Sequence, residues 1–123
     1  MAEYTPVFAS GTAPWTLQAS GTVTGGRLVE VTGAGTVANA GAASTKVIGV
    51  AATDQVTGGK VQVWPLTGVT HKVLGTGAIA AGDNLAAGAA GVVAAIGAGT
   101  FGQLVGVADR AAADATIVRF VGR

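Results

Sequence analysis

Displaced by 57 residues, the chain lies on itself without a gap, and this internal match constrains the fold more than any single motif. The stretch TGGRLVEV (24–31) falls on AGDNLAAG (81–88), pairing Gly25 with Gly82 and Leu28 with Leu85. KVIGVA (46–51) falls on QLVGVA (103–108), so Gly49, Val50 and Ala51 coincide with Gly106, Val107 and Ala108, and Val61 then meets Val118. Glycines and strand-forming residues are what the two copies share, which reads as two related halves, about 21–76 and 78–123. A chain rich in Gly, Ala and Val also yields such matches by composition alone, and that reading stays open at the level of sequence.

Each half reads as two β-hairpins. Arg27–Thr32 alternates, GAG (33–35) turns the chain, and Thr36–Ala40 returns. Lys46–Ala52 and Lys60–Leu66 flank TDQVTGG, a cluster of turn residues. Val61 and Val63 share one face under period-2 alternation. Pro65 lacks an N–H for the ladder, so its strand ends there or lies at an edge. The second half gives Asn84–Ala87, a GAAG turn, Val92–Ile96, Gln103–Ala108 and Thr116–Val121, while DRAAADA (109–115) reads as one helical turn or a loop. Glycine is 21 of 123 residues, against a usual ~7%, and Val dominates the larger apolar residues. Branched side chains favour pleated surfaces and glycine favours tight turns. The expectation is a single all-β domain, a small antiparallel β-barrel or β-sandwich of short strands.

The stretch GAIAAGDNLAAGAAGVVAAIGAGT (77–100) holds one carboxylate and no cation, yet it is not a membrane span. Asp83 and Asn84 interrupt it, and Leu85–Ala98 is short of the ~20 apolar residues a span needs. Gly82, Gly88, Gly91 and Gly97 would each weaken a helix by about 1 kcal/mol. The N-terminus MAEYTPVFAS lacks a basic region followed by an apolar core, so the chain is expected to be soluble and without a signal peptide. Charged residues make up 11%, few for a well-solvated surface, and the Ala-rich core is a weak stabiliser because the gain scales with apolar area buried. Both points suggest surface hidden against other subunits. Net charge is +1, and Arg27, Lys46, Lys60, Lys72, Arg110, Arg119 and Arg123 are scattered, without the basic patch that nucleic-acid binding requires. Cysteine is absent, which removes disulfides and thiolate chemistry.

No catalytic constellation emerges. GAGTFG (Gly97, Gly99, Gly102) matches a dinucleotide fingerprint, but that motif must open a helix in a parallel βαβ unit, and QLVGVA after it reads as a strand. His71 is the sole histidine, too few for an ordinary zinc site, and GVTHKV reads as a polar, exposed strand or loop. Ser10, Ser20 and Ser44 lie outside any nucleophile elbow. Glu3, Glu30, Asp54, Asp83, Asp109 and Asp114 are dispersed, several at turns where Asp bonds the local backbone. No enzyme activity, cofactor or metal is expected.

Residues 1–20 stand outside the repeat and hold Tyr4, Phe8 and Trp15, half of the six aromatics. Pro6 and Pro14 bias the segment towards extended structure. An extended N-terminal arm with spaced aromatics suits docking on a neighbouring subunit or shell, so these three residues are the candidate contacts. The other reading is an ordinary first strand packing on its own core.

Gly49–Val50–Ala51 at a strand end, Gly82–Asp83 between an apolar loop and a strand, and the closing Ala/Gly-rich loop and strand of Ala111–Val121 make residues 21–123 resemble the tailed-phage capsid decoration, or cement, proteins. The resemblance implies a small β-barrel or β-sandwich that binds the outer surface of an icosahedral capsid and stabilises it by bridging major capsid protein subunits, commonly as a homotrimer. It implies a virion protein made in the host cytoplasm, with no catalytic residue, and charge and hydropathy argue against a nucleic-acid or membrane partner. Another virion subunit, such as a tail tube or fibre base, is the main alternative, and a nucleotide-binding enzyme fragment a remote one.

Overall fold

Alternation of apolar and polar residues fixes which way each strand faces. In the computed structural model, which describes residues 3–7, 9 and 13–123, Val61 and Val63 are buried while Lys60 and Gln62 point outward. Their strand is β5 (Lys60–Pro65), and it closes a barrel with β1 (Trp15–Ala19), β2 (Leu28–Gly33), β3 (Thr36–Asn39) and β4 (Val47–Ala51). The order around the barrel is β1-β3-β2-β4-β5. Every neighbour is antiparallel except β1 and β3, which meet in parallel at Gln18–Thr36 and Ala19–Val37.

The remaining strands are β6 (Thr70–Leu74), β7 (Asn84–Ala87), β8 (Val93–Ala95), β9 (Gly106–Ala108) and β10 (Ile117–Gly122). They form a second sheet in the order β6-β10-β9-β7-β8, and a parallel bridge between Gly75 and Val93 joins its ends. The pairing repeats that of the first barrel strand for strand, so the two halves share one topology.

The register within the halves is gapped. Gly26 and Gly82 both have positive φ (80° and 88°), and both donate their N–H to the equivalent carbonyls of Ala51 and Ala108 (2.8 and 2.7 Å). Gly82 therefore corresponds to Gly26, not Gly25. One residue, Arg27, separates that glycine from Leu28, whereas Asp83 and Asn84 precede Leu85. Before this point the displacement is 56: Leu17 faces Val61 as Val73 faces Val118. The repeat also begins earlier than residue 21, because β1 is the counterpart of β6, and β6 pairs with the second sheet, so the halves divide between β5 and β6 and not at residues 76–78. Residues 15–19 thus belong to the barrel and not to a free arm. Without β1, the edges of β3 and β5 would be left unpaired.

Gly49 and Gly106 occupy one environment twice. A Cβ on Gly49 would lie 2.1 Å from the Trp64 carbonyl oxygen, and on Gly106 2.5 Å from that of Val121. The partner backbone crosses so closely that the GVA strand end admits no side chain there.

The first barrel is filled by small residues, among them Ala19, Val29, Val37, Val61 and Val63. A larger cluster around Leu85, Val118 and Phe120 also takes in Leu28, Val50 and Leu66 of the first half, so the halves share a core. The segment 109–116 is a loop, and Gln103–Ala108 yields only the short β9 because Phe101–Gln103 forms a 3-10 turn.

Candidate interaction surface

The N-terminal segment is tied across its own two halves. Glu3 bridges Thr53, and the Tyr4 N–H donates to the Ala52 carbonyl (2.6 Å), both in the first half. The Val7 N–H donates to the Thr70 carbonyl (2.9 Å) in the second. Tyr4 is buried, and its hydroxyl donates to His71 Nδ1 (2.6 Å) while accepting the Lys72 N–H (3.2 Å). His71 Nε2 donates to the Pro65 carbonyl at the end of β5 (2.8 Å). The phenol and imidazole rings stack at 5.8 Å, and the imidazole also stands 5.7 Å from the tilted Phe120 ring.

His71 is therefore not in a polar, exposed strand or loop; it is fully buried on β6, with Val73 on the same face. Burial pushes its pKa down from 6.5 to about 4, against the opposing effect of the Pro65 bond, so the ring is neutral at neutral pH. Burial also pushes the Tyr4 phenol well above its usual range, outweighing the Lys72 bond. Both ring nitrogens are occupied by hydrogen bonds, so this histidine holds structure together and offers no lone pair to a substrate.

Of the three aromatic candidates, Tyr4 packs on the chain's own core and Phe8 lies outside the described residues. Trp15 opens β1 and is 47% exposed, opposite Val63. Tyr4 and Trp15 thus do not form one exposed aromatic patch.

The carboxylates serve local structure. Glu30 accepts the Gly41 N–H (2.8 Å), Asp54 that of Gly25 (2.8 Å), Asp83 that of Ala80 (2.9 Å) and Asp114 that of Gly77 (2.7 Å). Asp109 is paired with Arg119 (2.9 Å) and Arg110 (3.9 Å). Among the described residues no cluster of three potential metal ligands occurs, and no helix is long and apolar enough to cross a membrane. GAGTFG lies between β8 and β9, which both pair antiparallel with β7, and it opens only the three-residue turn Phe101–Gln103. That is not the strand-to-helix setting in which glycines cradle a pyrophosphate.

What the surface does carry is exposed apolar area, at Trp15, Val31 and Val56 of the first half and more densely on one face of the second. Phe101 stands 88% exposed at its loop tip. On the outer face of β6 and β10, Leu74 lies opposite Ile117, Lys72 opposite Arg119 and Thr70 opposite Val121. Ile117 is 59% exposed and Val121 41%. Beside them Tyr4, Gly25, Gly26, Arg27, Lys72, Leu74 and Ile117 line a groove of about 470 Å³ at the junction of the halves. A second hollow of about 320 Å³ lies at the 53–56 turn and includes Val56. Sequence reasoning passed over Leu74, Ile117 and Phe101. Strand pairing supplies the signal for the first two: Leu74 and Ile117 stand where the first half has Gln18 and Lys60.

No family model matches the chain, and no curated protein matches it. Its fold is similar to the crystal structure of the head fibre gp8.5 N base in bacteriophage phi29, with a TM-score of 0.69. That similarity covers 91% of this chain and 94% of the other, at 23% sequence identity.

Proposed function

We propose that the chain is a structural subunit of a phage particle, carried on the outer surface of the capsid and without enzymatic activity. One observation carries this reading: nearly the whole of this chain shares its fold with nearly the whole of a phage head fibre base. The tying-up of Asp and His side chains in the scaffold supports the absence of catalysis. Few charges, 11% of residues, and the exposed Phe101 and Ile117 support burial against partners. The partners proposed are the major capsid protein and further copies of this chain, as a homotrimer on the shell.

Two roles fit such a subunit. As a cement protein it bridges neighbouring capsid subunits and stabilises the shell, the role that the sequence motifs imply. As a fibre base it anchors a longer structure, the role favoured by the likeness to the phi29 head fibre base. Particles lacking the protein, mixed with purified protein and pelleted, test the common ground: saturable binding is expected, and failure to bind or self-assembly into tubes overturns it. Heating the same particles separates the roles. Cement raises the rupture temperature, and a fibre base leaves it unchanged.

A further inference from the structure

The duplicated fold contains its own control. The row Gln18–Lys60 on the outer face of the first barrel is the counterpart of Leu74–Ile117 on the second. One half carries this row with two polar side chains and the other with two aliphatic ones, so the architecture itself does not demand exposed apolar area there. The row below follows the same rule: Thr16–Gln62 is uncharged, and Lys72–Arg119 sets two cations opposite each other. Like charges across a strand pair are unfavourable. Arg119 is neutralised by Asp109, whereas the groove beside Lys72 and Arg27 is lined by no carboxylate.

We infer that this groove, between Leu74 and Ile117 with Arg27 and Lys72 at its rim, docks a peptide segment of the capsid shell subunit that presents an aliphatic side chain beside a carboxylate. The inference rests on the capsid-surface reading above. Charge complementarity selects the occupant. Five of the chain's six carboxylates already accept bonds or ion pairs within the chain, at Glu30, Asp54, Asp83, Asp109 and Asp114. A second copy docked about a twofold axis would set Lys72 and Arg27 against cations, which specific interfaces avoid. We assign the carboxylate to the shell subunit, and sedimentation of the free protein tests a second copy in its place. Ile117 and Leu74 provide the apolar floor, Lys72 an exposed cation, and Arg27 is held in place by its bond to the Ala90 carbonyl (3.1 Å).

The test uses particles lacking the protein as the probe and installs the first-half residues on the second half. Ile117→Lys and Leu74→Gln reproduce the polar row, Lys72→Glu reverses the rim charge, and Val56→Ser removes an exposed valine elsewhere as a control. Ile117 and Lys72 are solvent-exposed, so these variants are expected to keep the wild-type melting temperature. Ile117→Lys is expected to weaken shell binding at least tenfold. Lys72→Glu should lose a similar factor and flatten the salt dependence, with Val56→Ser within twofold of wild type. Wild-type binding by all three groove variants overturns the groove while leaving the capsid-surface reading intact. No shell binding by the wild-type protein overturns both. If Ile117→Lys lowers the sedimentation mass of the free protein but not shell occupancy, the occupant is a second copy and the inference fails.

Discussion

Tyr4→Phe isolates the bond that holds the N-terminal segment across the two halves. The substitution keeps the ring, and with it the stacking on His71 at 5.8 Å. It deletes one oxygen that serves two partners, the buried Nδ1 acceptor of His71 and the part-buried N–H of Lys72. Leaving a buried polar group unsatisfied costs about 1–3 kcal/mol, and the half-open Lys72 N–H adds about 1 more, for a loss of roughly 2–4 kcal/mol. For a domain of this size that corresponds to a fall of about 10 °C in melting temperature. Urea unfolding followed through Trp15 and Trp64 measures the loss. Amide exchange should localise it, with faster exchange at Lys72 and Val7 than in the first barrel. A double-mutant cycle with His71→Phe should give a coupling of about 1 kcal/mol or more, as expected for groups in one network. A Tyr4→Phe protein within 0.5 kcal/mol of wild type, with unchanged exchange at Lys72, would refute the assignment of this network as the clamp.

The same site makes stability depend on pH. The His71 pKa is about 4 in the folded chain against 6.5 as the ordinary value, so between those limits the unfolded chain binds a proton that the folded chain does not. The contribution is fully present above pH ~6.5, falls by up to about 1.4 kcal/mol per unit as pH drops towards 4, and levels off below. A His71→Phe variant should lack that slope in denaturant titrations from pH 7 to 3.5. Gly49→Ala and Gly106→Ala should each cost about 2–3 kcal/mol, the upper range of overpacking, because the obstructing atom is a backbone oxygen fixed in a ladder. Gly35→Ala, where a Cβ meets nothing but φ is +69°, should cost less in the same melts. Deleting residues 2–15 removes Tyr4 and the first residue of β1, so circular dichroism should show a loss of at least 3 kcal/mol in stability. A dispensable arm would leave the remaining chain folded as before.

Much of the architecture was legible because it rests on local rules. Alternation in KVQVWP placed Val61 and Val63 inside, and the glycines at 49 and 106 marked the two equivalent strand ends. For β1 the sequence leaves a docking arm and an ordinary first strand equally open, because its burial is graded along the strand: Trp15 and Leu17 are partly open and only Ala19 is enclosed. Its place in the barrel depends on pairing with residues about 20 and 45 positions away, which no local pattern reports. His71 was misjudged from its neighbours Thr70 and Lys72, though the alternation T-H-K-V-L places it with Val73 on the inner face. The one-residue offset near Gly26 and Gly82 is equally invisible without coordinates, since Gly25 matches as well as Gly26 by identity. The apolar row at Leu74 and Ile117 became readable once strand pairing showed which residues of the first half stand in the same place.

Cryo-electron microscopy of the phage particle, with and without this protein, tests the capsid-surface role most directly. A capsid-surface subunit predicts density for the barrel and its companion sheet on the outside of the shell, present only in particles that carry the protein, with the face of β6 and β10 turned towards a capsid subunit. Density for the protein in the tail or inside the shell, or identical capsid surfaces in the two maps, would contradict that role.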